Sequence, residues 1–205
     1  MSTQDISSYR DKFDALVSVA RKLEDFLASR LSDQSHIDRI SCRAKSPESF
    51  ANKATQVMED GLTPKYSVPL VEVQDQIGAR VVVLYLADVE VVKAAAERYF
   101  TPIEQQERIP DSPSAFGYVS YHGIFALPDD AVPEGIGKED IPRLFELQIR
   151  TLFQHAWAEA NHDLGYKFNV DLTPDQQRLC AYASAQAWGA DRVLEELRAS
   201  LGSTS

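Results

Sequence analysis

Residues Ile77 to Leu86, IGARVVVLYL, narrow what this chain can become more than any other segment. Val81, Val82 and Val83 are β-branched and favour a strand, and the run is almost continuously apolar, as a strand covered on both faces would be. Such a strand needs other strands beside it and helices over it. Tyr9, Phe13, Leu16, Val17, Ala20, Leu23, Leu27 and Leu31 recur at spacings of three and four, which predicts an amphipathic packing helix over 9–31. Residues 38–45 predict a strand. Ser46-Pro47 then opens a helix, serine as N-cap and proline at the first helical position, running to about Asp60 and closed by Gly61.

Further along, 63–69 reads as a loop, 88–100 as a helix with Asp88 as N-cap, 101–108 as a strand, 110–113 as a loop and 117–127 as a strand. A loop rich in Pro, Gly and acids follows through Pro142. Residues 143–150 alternate, with Leu144, Glu146, Gln148 and Arg150 on one face and Phe145, Leu147 and Ile149 on the other. Helices are predicted over 152–165, ending at Gly165, and from Thr173-Pro174 to about Leu201. The irregular alternation, with a strand pair around 101–127, predicts an α/β or α+β sheet flanked by helices. Without repeats or a break in composition, the expectation is a single domain over 1–205: an N-terminal helix within 1–35, a core over 38–167 and a C-terminal helix over 173–202. The 205 residues fit that expectation at roughly 150 residues per domain.

Composition removes several classes. Hydrophobic residues at 44% and charged residues at 25% exclude disorder and disulfide scaffolds. No window approaches about 18 consecutive apolar residues, so no membrane span is predicted, and Met1 to Tyr9 lack the apolar stretch of a signal peptide. Cys42 and Cys180 form no CxxC, which suits a reducing, cytoplasmic setting. The net charge of −10 opposes a broad nucleic-acid surface. An acidic protein that binds a polyphosphate must therefore cluster its cations and add a metal.

Five groups of residues offer such chemistry. Arg43 and Lys45 share one side of a strand leading to the helix that starts near Ser46, and Lys53 lies two turns along it. Cations beside a helix N-terminus suit a polyphosphate, although strand ends also carry ordinary solvated charge. Asp75 precedes the most apolar strand, with Gly78 and Arg80 after it; a carboxylate there suits Mg²⁺, and equally an ordinary turn. Tyr118, Ser120 and His122 share a strand face that could stack on a base and bond a ribose or phosphate, or simply be half exposed. Glu146 supplies a second carboxylate, and two carboxylates around Mg²⁺ are how phosphoryl transfer is commonly organised. Finally, His155, Glu159 and His162 share a helical face: a zinc site in one reading, a polar face packed on the sheet edge in the other.

In order along the chain, RxKSxxSxxxK, DxxGxR, GYxSxH, ExQIRT and HAWAExxHDLxYK resemble the synthetase domain of the RelA/SpoT family, the alarmone synthetases, over residues 38–167. The length resembles the small stand-alone members. The resemblance implies a nucleotidyltransferase-like mixed sheet of about five strands with flanking helices. It implies transfer of pyrophosphate from ATP to the ribose 3′-OH of GTP or GDP, with Mg²⁺ and release of AMP. Arg43, Lys45, Ser46, Lys53 and Arg80 then fall on the ATP side. Asp75 and Glu146 are the metal and catalytic carboxylates, Glu146 holding the metal or activating the hydroxyl. Tyr118, Ser120, His122, Gln148, Arg150, Asn161, His162 and Lys167 fall on the acceptor side, Tyr118 stacking on the base. The stretch Ser112 to Tyr118 departs from the PKxNGY-like pattern by lacking its lysine, and Asn161 stands where compact relatives often carry Glu. Both departures lie on the acceptor side, so adenosine nucleotides or a tRNA 3′ end stay open as acceptors, as does a regulator that binds nucleotide without turnover. A homo-oligomer and an antitoxin partner are also open.

Overall fold

The computed structural model describes residues 3–108, 120–168 and 172–202, with side chains over 5–105, 120–164 and 172–202. Helices α1 (Thr3–Asp11) and α2 (Phe13–Arg30) lead into β1 (Ile37–Ala44), α3 (Pro47–Ala54), α4 (Pro69–Glu72), β2 (Ile77–Val83) and α5 (Leu86–Ala96). Strands β3 (Pro102–Arg108), β4 (Ser120–Ala126) and β5 (Leu144–Thr151) follow, then α6 (Leu152–Phe168) and α7 (Pro174–Gly202). The five strands form one mixed sheet in the order β1-β2-β5-β4-β3. Only β2 and β5 are parallel; the other neighbours are antiparallel. The expected mixed α/β sheet is what the chain forms, and among the described residues no helix is long and apolar enough to cross a membrane.

The register sorts side chains into two faces. Ile40, Val81, Ile149 and Tyr121 form one cross-strand row and Cys42, Ala79, Leu147 and Gly123 the next. Under these rows α2 and α5 complete the core with Leu16, Val19, Leu23, Leu27, Val92 and Ala96. On the opposite face, Arg43, Gly78, Glu146 and Ile124 line up, then Ser41, Arg80, Gln148 and His122. The strand at 77–83 is thus covered on both faces only toward its end, where Val81, Val82 and Val83 are buried; Gly78 and Arg80 are half-buried and face outward.

Several boundaries differ from the sequence reading, each through a tertiary contact. The helix expected over 9–31 is two helices that part at Lys12, because Tyr9 stacks on Phe50 at 3.9 Å while Leu16 and its successors follow the sheet. The helix from Pro47 stops at Ala54, since 55–65 folds back through a bridge between Val57 and Pro64 around Gly61, whose φ of +69° suits glycine. Part of the expected 63–69 loop ends in α4. Asp88 is not an N-cap: α5 begins at Leu86, and the buried Asp88 carboxylate holds Arg198 at 3.0 Å and His36 at 3.3 Å. Gly165 does not end α6, which continues to Phe168. Residues 117–119 of the expected 117–127 strand lie outside the described residues.

At the β5–α6 junction Thr151 and Gln154 form a reciprocal cap: Gln154 N donates to Thr151 Oγ1 (3.1 Å) and Thr151 N to Gln154 Oε1 (3.0 Å). The same hydroxyl donates to Asp191 of α7 at 2.7 Å, joining the last helix to the sheet. Burial pushes the Asp191 carboxyl up to about 6, against the opposing pull of the Thr151 bond. With the folded value above the unfolded one, this residue's stability contribution is full below about pH 4 and is lost as pH rises through 6. Asp191→Asn should therefore flatten the fall in urea midpoint between pH 4 and 7 relative to wild type. Parallel curves for the two proteins would show that Asp191 is not the titrating group.

Candidate active site

The outward face of the sheet is where the chain brings together residues far apart in sequence. Ser46 caps α3, its hydroxyl accepting from Ser49 N at 3.2 Å, so the free end of that helix opens beside Arg43 and Lys45. Asp75 sits just before β2, and parallel pairing sets Gly78 beside Glu146 and Arg80 beside Gln148. Helix α6 lies over β2 and β5 and adds Trp157, Glu159, Asn161 and His162. It covers the middle of the sheet rather than its edge, because β2 and β5 are interior strands.

Between them lie two adjoining hollows. One, about 470 Å³, runs from Arg43, Lys45, Ser46 and Ser49 to Asp75 and Arg80. The other, about 410 Å³, is bounded by His122, Arg150, Trp157, Glu159 and Asn161. Arg43, Asp75, Arg80, Glu146, Gln148 and His162 border both. A Cβ on Gly78 would meet nothing within 4 Å, so the floor beside Glu146 is open because this position has no side chain.

The two carboxylates are held differently. Asp75 Oδ2 accepts from Lys53 Nζ at 2.7 Å and lies 3.1 Å from Lys45 Nζ, while its Oδ1 is buried with no hydrogen-bond partner. Glu146 accepts from His122 Nδ1 (2.8 Å) and from Gln148 Nε2 (2.7 Å), and Gln148 Oε1 accepts from Arg150 Nη2 (2.6 Å). Burial raises the Glu146 pKa, but the His122 bond and charge, the Gln148 bond and the Lys53 charge outweigh it and hold the group at about 2. Glu159 reaches down from α6 to Arg80 at 2.8 Å.

Of the residues singled out in the sequence, Arg43, Lys45, Ser46, Asp75, Arg80, His122, Glu146, Gln148, Arg150, Asn161 and His162 border the hollows, and Lys53 joins them through Asp75. Ser120 is buried and borders neither. Tyr118 and the side chain of Lys167 lie outside the described residues. The zinc reading of His155, Glu159 and His162 meets a different geometry. Glu159 is turned to arginine, and among the described residues no three His, Cys, Asp or Glu side chains gather as metal ligands. Tyr9 was legible only as part of an apolar stripe. Its hydroxyl donates to the Lys45 carbonyl at 2.8 Å, so α1 buttresses the lysine that faces Asp75.

Residues 42–171 match the family described as the region found in RelA and SpoT proteins, more than half of the chain. The chain belongs to the RelA/SpoT family. Within it, the chain is 30% identical over 171 residues to GTP pyrophosphokinase YjbM of Bacillus subtilis, covering 81% of this chain and 74% of that protein. It is 26% identical over 137 residues to GTP pyrophosphokinase YwaC of the same organism, covering 66% and 61%. Its fold is similar to the crystal structure of small alarmone synthetase 1 from B. subtilis, with a TM-score of 0.69, 25% identity and coverage of 97% and 96%. A Streptococcus pneumoniae GTP pyrophosphokinase family protein shares the fold at a TM-score of 0.75, with 24% identity and coverage of 100% and 97%.

The pairing of His122 with Glu146 makes one electrostatic expectation measurable. His122→Ala removes both a hydrogen bond and a charge from Glu146 and leaves the burial in place, so the Glu146 carboxyl should titrate well above 2. Carboxyl ¹³C chemical shifts followed from neutral to acid pH would report it. A Glu146 resonance with the same midpoint in both proteins would place the cause elsewhere.

Proposed function

We propose that this chain is a single-domain, cytoplasmic pyrophosphokinase that transfers the β,γ-pyrophosphate of ATP to the ribose 3′-OH of GTP or GDP. The observation that carries this reading is that Asp75 and Glu146 border one cleft whose rim bears Arg43, Lys45, Arg80 and Arg150. Family membership and the activity named for YjbM agree with it, as does the likeness to small alarmone synthetase 1 bound to its product pppGpp, at a TM-score of 0.67 and 25% identity. In the reaction the 3′-oxygen forms a bond to the β-phosphorus, and the bond from that phosphorus to the oxygen bridging the α-phosphate breaks. AMP leaves with that oxygen, and the hydroxyl proton passes to solvent or to AMP.

The larger hollow suits the donor. Its helix N-terminus, Arg43 and Lys45 converge on an anion, and Lys53 is drawn in through Asp75. The smaller hollow suits the acceptor, with His122, Gln148, Arg150, Asn161 and His162 around it; Tyr118 and Lys167 belong to this side by family resemblance. A buried carboxylate oxygen without a partner, a second carboxylate nearby and an open floor at Gly78 fit an oxygen-loving divalent cation, which we take to be Mg²⁺ held by Asp75 and Glu146. When bound it would neutralise charge that develops on the transferring phosphates. Glu146, held at about 2, is a poor proton acceptor near neutrality, where a general base works best with a pKa close to the operating pH. Held as an anion, it can hold and orient a cation or stand beside the 3′-hydroxyl that must lose its proton. Positioning of the two nucleotides supplies much of the remaining rate.

Incubated with Mg²⁺, GDP or GTP and β-labelled ATP, the protein should release AMP and place label on the guanine nucleotide. Asp75→Asn and Glu146→Gln should each lower the rate by roughly a thousandfold or more, about 4 kcal/mol of barrier. Label on an adenosine nucleotide or on tRNA, offered in parallel, would correct the acceptor. Nucleotide binding with no AMP formed by wild type would replace the enzyme by a regulator.

A further inference from the structure

We propose that Tyr9 of α1 is a positioning residue for the pyrophosphate donor: its hydroxyl fixes the main chain of Lys45, and through it the direction in which that lysine presents its ammonium to the ATP phosphates. The inference rests on the donor assignment above and deepens it. Lys45 stands between two elements and belongs to neither. Ala44, paired with Ile77, is the last residue of β1, and Ser46 is the N-cap of α3. The Lys45 N–H donates to the Gln76 carbonyl at 2.8 Å, next in sequence to Asp75. Its carbonyl accepts from Tyr9 Oη, also at 2.8 Å. The backbone is thus held on both sides of the Lys45 Cα, and one of the two holds comes from a helix outside the cleft.

Tyr9 is built for that task. It is 1% exposed and is the one buried residue among the described side chains of α1. Its ring lies almost parallel to that of Phe50, 4° between planes and 3.9 Å between centres. Phe50 sits in α3 between Ser46 and Lys53, so Tyr9 touches both arms of the turn that carries the donor-side cations. The stacked ring sets where the hydroxyl arrives, because a phenol has no flexible atoms beyond its ring. Burial and the nearby Asp75 charge push the phenol above its ordinary range, so it remains a hydrogen-bond donor at any working pH. At the other end of α1, Lys12 Nζ donates to the Glu139 carbonyl at 3.0 Å and lies 3.2 Å from Asp140, which anchors the helix where it parts from α2.

Lysine is a point charge on a flexible four-carbon stem, so the fold can fix only its root. Lys45 Nζ now lies 3.1 Å from Asp75 Oδ2. With its root held, the stem can turn from that carboxylate to a phosphate while the main chain stays in place. Without the Tyr9 hydroxyl the Lys45 carbonyl loses this partner, and rotation of the peptide unit that follows would displace both the ammonium and the Ser46 cap. Lys45 and Ser46 border the larger hollow and not the smaller one. The effect should therefore fall on the donor and spare the acceptor.

Tyr9→Phe keeps the ring on Phe50 and deletes only the hydroxyl. Calorimetric titration with ATP and Mg²⁺, no acceptor present, should show binding roughly three- to tenfold weaker than in wild type, the range of one lost hydrogen bond. In turnover the KM for ATP should rise by a similar factor, while that for GDP stays within about twofold. In the Lys45→Met background the hydroxyl should lose most of its effect on ATP affinity. Val19→Ala, in the core beneath the sheet, should lower the urea midpoint and leave ATP affinity unchanged, which separates positioning from stability. Equal ATP affinity in wild type and Tyr9→Phe, a loss matched by Val19→Ala, or the same loss with Lys45→Met would make Tyr9 a packing residue and overturn the proposal. ATP bound by wild type without AMP release would sink the enzymatic reading and leave this one to be decided by the affinity difference; no ATP binding by wild type would end both.

Discussion

Parallel pairing of β2 with β5 is the constraint on which the site depends. It sets the side chains of two distant segments in register, so Gly78 falls beside Glu146 and Arg80 beside Gln148. Antiparallel β1 and β4 extend the same rows outward to Arg43 and His122. A one-residue slip at either junction would exchange these groups with Ala79, Leu147 and Tyr121 and put charge into the core. The apolar face thus protects the register, and the register assembles the polar face.

That polar face is a set of mutually compensated charges rather than a row of free ones. Asp75 is shared by two lysines, Glu146 by His122 and Gln148, and Glu159 by arginine. In a chain of net charge −10, such local pairing lets cations gather in one cleft. At Glu146 the compensation also settles a protonation state: the group stays anionic despite burial because its partners bind the charged form more strongly than burial opposes it. The helices keep the frame in place from outside the cleft. Tyr9 of α1 stacks on Phe50 and reaches the Lys45 carbonyl, and Asp191 of α7 holds the Thr151 hydroxyl at the head of α6.

Much of this was legible before any coordinates. The alternation over 143–150 correctly separated Glu146, Gln148 and Arg150 from Phe145, Leu147 and Ile149, since a strand's period is short and local. Ser46-Pro47 marked the start of a helix for an equally local reason. The misplacements share the opposite property. Asp88 reads as a cap, yet its carboxylate is claimed by Arg198, 110 positions away. Residues 9–31 read as one helix because the apolar stripe continues, while the break at Lys12 comes from two different surfaces competing for Tyr9 and Leu16.

The amino-acid order by itself determined the element types, the faces of the strands and the family to which the chain belongs, because periodicity, capping and motif spacing are written over a few residues at a time. Tertiary structure alone decided that Asp75 and Glu146 border one cleft, that Glu146 lies beside His122, and that Glu159 faces arginine. Those relations depend on strand order and register, which bring residues some 70 positions apart to neighbouring strands, and the free energy that selects one register comes from burying the whole apolar face at once.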